Sequence, residues 1–472
     1  MRALPWLALC AVFLLSACAP MLRLLPDAAR IETPTAWTTP TETTPTETPP
    51  AEVTVEARWW QGFGDSELNR YVDAALIRNA NVQIAATRVA AARAQLAAAE
   101  AALRPVLNAG MAPGATHSLA ASGIATTRSA QPQLQAAWEA DLWGRLADRE
   151  SAAAWQLQAS QAERDGVHLS IAAATAQAYI DLLARQAQLA QTRKTAELRR
   201  QALLLAQAQQ QGGYISQLQL GQAEAEYEAV HQQIPALLLA ISLQRNALQL
   251  LAGELPAAQA EDEAQARAFD ALVLPPVPGV LPSELLERRP DLAAAAAQLA
   301  AAAANLSASR AAYLPSVQLS ASLGGLYTNA LNYDPIKVWS LGASVLAPLF
   351  DGGRLDAQYD AATAQRDQAA YAYRSAVLTA FGEVENAFAG TLRWQEQLDG
   401  ARRRRAVLAR TAGYAQDRYQ AGYSPYIEQL DAERNLYQTE IDVISLRQSQ
   451  FQNLIALYKA LGGGWQNVEP RP

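Results

Sequence analysis

Two periods of apolar residues divide this chain. Long stretches repeat their apolar positions every three to four residues, the period of a helix with one buried stripe. Leu169, Ala172, Ala176, Tyr179, Leu183, Ala187 and Ala190 form such a seam within residues 146–211, which contain no proline and a single glycine, Gly166. Leu378, Phe381, Val384, Phe388 and Leu392 form another within 355–421. Some sixty residues at ~1.5 Å each make a rod of roughly 90 Å, longer than a compact domain uses. Further helices are expected over 66–103, capped by Ser66 and stopped by Pro105, and over 215–252 and 425–461, the first of these kinked by Pro235.

Elsewhere the period is two. Gln131, Gln133 and Gln135 alternate with Pro132, Leu134, Ala136 and Trp138. Val317, Leu319, Ala321 and Leu323 alternate with Gln318, Ser320, Ser322 and Gly324, and Trp339, Leu341, Ala343 and Val345 with Ser340, Gly342 and Ser344. A less regular partner runs near 106–115. Strands of about ten residues with one apolar face suit a tilted crossing of a bilayer. The sheet of a soluble domain is the other reading, although an isolated hairpin would not be stable. Tyr313, Tyr327, Trp339, Phe350, Trp138 and Trp143 lie near strand ends, where interfacial aromatic girdles form.

The pattern occurs twice. Residues 75–105 align without gaps on 285–315, matching Leu76 with Leu286, Arg78 with Arg288, and Pro105 with Pro315. Further on the offset is 209, so that Gly144-Arg145-Leu146 falls on Gly353-Arg354-Leu355 and Gly213-Tyr214 on Gly422-Tyr423. This long period indicates duplication of a structural half. Repeat 1 is assigned to 58–255, with its hairpin at 105–142. Repeat 2 is assigned to 282–466, with its hairpin at 315–350, and 256–281 connects them. Residues 467–472 are a tail. No run of 18 apolar residues follows the leader, so no helix is expected to span a membrane and the hairpins must do so. Four strands cannot close around a pore, whereas three subunits would pool twelve.

The start of the chain changes the picture most. An apolar run from Leu4 to Leu15 reads as a secretory signal over residues 1–17. It ends in Leu15-Ser16-Ala17-Cys18, which resembles the bacterial lipoprotein signal, making Cys18 the expected lipid attachment. Ala19 after it, in place of the Asp that retains lipoproteins at the inner membrane, favours the outer membrane. Residues 18–57 are then anchor and tether, since the Thr/Pro/Glu tract at 31–56 cannot build a core. The other cysteine, Cys10, falls in the removed segment, which leaves no thiol for redox chemistry.

Charge and chemistry narrow the function. A net charge of −7 with 18% charged residues argues against a nucleic-acid partner. His117, His168 and His231 share no ligand spacing, so neither a catalytic centre nor a metal or cofactor site is expected. Gly352-Gly353 is a turn without phosphate-loop context. Arg402-Arg403-Arg404-Arg405 reads as a solvated helix face or a contact for a partner. One constellation remains, Gly422-Tyr423-Ser424-Pro425, a turn in which Ser424 is the expected helix cap. Beyond it Glu428 and Asp431 share a helical face. They read either as acids favoured by a helix N-terminus or as a functional pair.

These residues together resemble the TolC-like outer membrane efflux family, in particular its lipoprotein branch. The resemblance is carried by Trp59-Trp60, Phe63-Gly64-Asp65, Leu281-Pro282-Ser283, Arg288-Arg289-Pro290-Asp291-Leu292, Pro348-Leu349-Phe350-Asp351-Gly352-Gly353, Glu383-Val384-Glu385-Asn386-Ala387, Leu430-Asp431-Ala432 and Ala460-Leu461-Gly462-Gly463-Gly464-Trp465. It covers residues 58–466. It implies a mainly α fold with a β-barrel: a homotrimer whose twelve-stranded barrel crosses the outer membrane and continues as a long periplasmic α-helical barrel. It also implies passive export, a periplasmic adaptor and an inner-membrane transporter as partners, and a periplasmic gate at Glu428 and Asp431. Their first-repeat counterparts, Gln219 and Gln222, are neutral. A duct for secreted polypeptides and a coiled-coil lipoprotein that spaces the envelope are the alternatives; the amphipathic hairpins speak against the spacer.

Overall fold

The computed structural model describes residues 34, 36, 37, 58–120, 123–257, 269–277 and 282–463. The leader, Cys18, most of the tether and the tail lie outside these residues. In chain order the first repeat contains α1 (Ser66–Arg78), α2 (Ala80–Ala102), β1 (Val106–Ala120), β2 (Gly123–Ala140), α3 (Arg145–Gln211), α4 (Gln217–His231) and α5 (Gln233–Leu251). The second contains α6 (Pro282–Arg288), α7 (Pro290–Ala311), β3 (Ser316–Thr328), β4 (Ile336–Leu346), α8 (Arg354–Gln420) and α9 (Tyr426–Ala460). The chain forms two compact units, and each draws on both repeats. The first holds Thr87–Ala162 and Ala293–Ala376, including all four strands; the second holds Glu32–Ala86, Glu163–Leu292 and Val377–Pro472.

Several local expectations are corrected. The helix expected over 66–103 is two helices, because Asn79 is extended with φ −62° and ψ 129°. Its Oδ1 accepts from the Asn81 amide at 2.9 Å, which caps α2 and stabilises the break. The same break recurs between α6 and α7, where Pro290 disfavours helical geometry in the residue before it. Ser66 is not the cap of α1. Asp65 accepts from the amides of Glu67 and Leu68 at 2.8 and 3.1 Å, and a carboxylate there also suits the helix dipole. The helix expected over 215–252 is interrupted at Gln232, three residues before Pro235, with Gln232 itself still in helical geometry, while α9 runs unbroken for 35 residues with Ile444 in the place of Pro235.

The four strands form one antiparallel sheet in the order β1-β2-β3-β4. The two hairpins join through β2 and β3, with Gln135 opposite Ser322 and Trp138 opposite Leu319. One face carries Gln133, Gln135, Ser320, Ser322 and Ser340. The other carries exposed Leu323, Trp339 and Leu341, at 61%, 72% and 79% of full exposure. An apolar face of this kind requires lipid, and the free edges of β1 and β4 require further strands. The strands of the first hairpin are longer than the expected ten, at 15 and 18 residues, because small and polar side chains continue the ladder past the apolar band.

The expectation that no helix is apolar enough to span a bilayer does not hold as a statement of composition. Arg145–Gln211, Gln217–Leu251 and Pro290–Ala311 each contain an 18-residue window of mean hydropathy 1.2 to 1.3. Alanine, with scattered Gln and Ser between, raises the mean without making an unbroken apolar run.

In the second unit an aromatic core fixes the connector. Trp59 stacks on Tyr458 at 5.4 Å, and Phe451 packs against Phe63 and Phe269 at 6.0 and 6.1 Å. The Arg447 guanidinium lies over Phe269 and Phe451 and donates to the Asp270 carboxylate at 2.9 Å. Such desolvated cation–π contacts hold Phe269 and Asp270 of the connector in place.

Candidate functional site

The long helices α3 and α8 end in the same motif. Tyr214 donates its amide to Gln209 and Gly213 to Gln210, at 2.8 and 2.9 Å; Tyr423 donates to Arg418 and Gly422 to Tyr419, both at 2.9 Å. Gly213 and Gly422 have φ of 74° and 76°, the left-handed geometry that this cap requires. The following helices start differently. Ser216 forms a capping box with Gln219 at the head of α4. At the head of α9 the N-cap position is Pro425, without a side-chain cap. Ser424 is therefore not the cap: it sits one residue early, and its buried hydroxyl has no partner among the described residues.

Behind the turns, Tyr426 and Leu430 pack with Ala206 and Ala223, flanked by Leu203, Ile215, Leu220 and Tyr419. Burial pushes the Tyr426 hydroxyl up to about 12, so it stays protonated at any physiological pH. This cluster ties α3, α4 and α9 together next to the acids.

Glu428 lies in the first turn of α9 with an exposed side chain. Asp431, 60% exposed, follows one turn later on the same side. The structure adds a residue that the sequence reading passed over. Arg434 donates to Asp431 at 3.3 Å and, through Nε, to Glu226 of α4 at 2.8 Å. Glu226 is only 7% exposed, so Arg434 gives this buried carboxylate an opposite charge to pair with. Beside it, buried Arg199 of α3 pairs with Glu433, which also accepts from Gln429 at 2.7 Å. Asp431 is thus part of a charge network bridging the repeats, whereas Glu428 stands apart from it. The i, i+3 spacing of Asp431 and Arg434 was a readable signal. Their partner Glu226 was not, being 208 residues away from Arg434.

The remaining candidates stay dispersed. His117 meets Thr126 at 2.8 Å, His231 stacks on Tyr227, and His168 is half-buried. The side chains of Arg402 to Arg405 are exposed, with Arg402 3.4 Å from Asp399. Among the described residues no group of His, Cys, Asp and Glu could hold a metal ion.

Comparison with known proteins agrees with this arrangement. The family model for outer membrane efflux proteins matches residues 71–254 and again 281–463, one match per repeat. The pyoverdine export outer membrane protein OpmQ of Pseudomonas putida is 34% identical over 461 residues, covering 94% of this chain and 95% of its own. The cation efflux system protein CusC of Escherichia coli is 30% identical over 413 residues, covering 86% and 89%. Among solved structures, the outer-membrane channel OprN superposes with a TM-score of 0.82 at 27% identity, covering 95% of this chain and 99% of its own. The open state of the Neisseria gonorrhoeae MtrE outer membrane channel gives 0.82 at 26%, covering 96% and 99%. The chain therefore belongs to the outer membrane efflux protein family, as a channel of the trimeric TolC-like architecture that works in the outer membrane and reaches into the periplasm.

Proposed function

We propose that this protein is the lipid-anchored exit duct of a small-molecule efflux system, with no catalytic site of its own. Three copies supply the strands of one barrel, and a periplasmic adaptor links the channel to an inner-membrane transporter that provides the energy. The observation that carries the small-molecule reading is the identity of 30–34%, over most of the chain, to proteins named for export of pyoverdine and of cations. The amide- and hydroxyl-lined face of the sheet, with Gln133, Gln135, Ser320 and Ser322, suits a wet lumen that passes unlike solutes without binding any tightly. Cys18 carries the lipid, and Glu428 and Asp431 face the solute path at the entrance.

Deleting the gene in its host and following accumulation of a fluorescent efflux dye tests this reading. Raised dye retention, restored by the intact gene, is expected. Unchanged retention together with a lost secreted polypeptide would sink it. Labelling cells with radioactive palmitate tests the anchor: label should enter the wild-type protein and be absent from Cys18→Ser.

A further inference from the structure

The two repeats differ in the aromatic residues near their first helices. α1 runs over Ser66–Arg78, and its counterpart α6 is described over Pro282–Arg288. In the first repeat the early turns of α1 bring Tyr71 onto Tyr179 of α3, with ring centroids 5.7 Å apart at 41°. Both rings are buried. The sequence counterpart of Tyr71 is Leu281, an aliphatic residue.

The counterpart of Tyr179 is Phe388 of α8, and Phe381 stands in the place of Ala172. The second repeat therefore offers two rings, one helical heptad apart, while the sequence counterpart of Tyr71 carries no ring. An indole from outside the repeat covers them instead. Trp37 lies 5.7 Å from Phe381 at 47° and 5.8 Å from Phe388 at 57°. Tilted contacts at these distances are the favoured geometry for aromatic pairs. Trp37 is also the sole aromatic residue between Cys18 and Arg58.

We propose that Trp37 is the docking residue of the N-terminal tract, fastening it to α8 in the position that Tyr71 fills in the first repeat. The tract is then a strap fixed to the second repeat and not a free leash. In the lipid-anchored reading proposed above, nineteen peptide steps separate Cys18 from Trp37, a reach of at most roughly 65 Å. The docking itself does not depend on the lipid.

The test uses the full-length protein in outer membrane vesicles, with the photo-crosslinker p-benzoylphenylalanine in place of Trp37. Irradiation should attach position 37 to a peptide within 377–392 of the same chain, giving no change in mass on a denaturing gel. Adducts on other segments, or a band of two joined chains, would overturn the intrachain docking. A second measurement needs no crosslinker. Protease cleavage within 31–57 should quicken about tenfold in Trp37→Ala and change little in Trp37→Phe, which keeps a ring for the same slot. Equal cleavage of wild type and Trp37→Ala would overturn the proposal even if the trimer stays intact.

Discussion

Arg289 donates a hydrogen bond from Nη1 to the carbonyl oxygen of Ala460 at 3.0 Å. The first repeat makes the same connection with a different side chain, as Nδ2 of Asn79 donates to the carbonyl of Leu251 at 2.9 Å. In both places a residue at the break between two helices satisfies the last carbonyl of the closing helix, which otherwise lacks an intrahelical partner. Arg289 adds ion pairs to Asp291 and Glu383, both at 2.7 Å.

Replacing Arg289 by Met should therefore lower stability by about 1–3 kcal/mol, since it orphans a carbonyl and two carboxylates that are half exposed. Glu383→Gln should cost less, because Asp291 and the Ala460 carbonyl still hold the guanidinium. Melting of the detergent-solubilised trimer measures both; an equal loss in the two variants would make Glu383 the dominant partner.

The glycines that follow the closing helices are constrained by the same junction. A Cβ on Gly462 would lie 2.2 Å from the Arg288 carbonyl oxygen, and one on Gly253 would lie 2.7 Å from that of Arg78. Both residues also have positive φ, 88° and 72°. Gly462→Ala should cost about 2 kcal/mol or more, through backbone displacement and strain. Gly382→Ala is the control: it sits inside α8 with nothing within 4 Å, and helix propensity predicts a gain of up to about 1 kcal/mol.

Acid should weaken the second unit through His168. Burial pushes this imidazole below its ordinary range, with Arg164 acting the same way and Asp165 opposing. A depressed folded pKa means that the unfolded chain binds more protons below about pH 6.5, so stability falls as pH drops through that range. Between pH 7 and pH 5 the wild type should lose roughly 1–3 °C more in melting temperature than His168→Gln. Parallel curves would remove His168 as a contributor.

At the turn after α8, Glu428 and Asp431 should differ in their effect on ions. Arg434 offsets the charge of Asp431, whereas Glu428 stands outside that network. Glu428→Gln should lower the cation-to-anion permeability ratio in planar bilayers by on the order of two- to fivefold, corresponding to about 1 kcal/mol per unit charge in a wet pore. Asp431→Asn should change it less. Arg434→Gln should raise the ratio, because it frees Asp431, although leaving buried Glu226 unpaired will also reduce stability. Identical ratios in all three variants would separate these residues from the solute path.

Much of this architecture was legible in the chain. The three-to-four period marked α3 and α8, alternation marked β2, β3 and β4, and the matched glycines Gly213 and Gly422 marked the turns. The differences lie at the break at Asn79, in the apolar content of the helices and at element ends. Ser66 and Ser424 are acceptable caps by type, yet Asp65 and Pro425 hold the cap positions, because a one-residue shift in where a helix starts costs little locally and is decided by packing.

The sequence by itself determined the duplication and the class of each element, because these follow from periodicity along the chain, and it offered a lipid-facing sheet as one of two readings of the alternating strands. Only the tertiary structure decided which distant side chains meet: Arg434 with Glu226, Arg289 with Ala460, and Trp37 with Phe388. Each pair is separated by well over a hundred residues, so its meeting depends on how whole helices pack together. The chain fixes that packing through its buried faces and not through any local signal at the two residues.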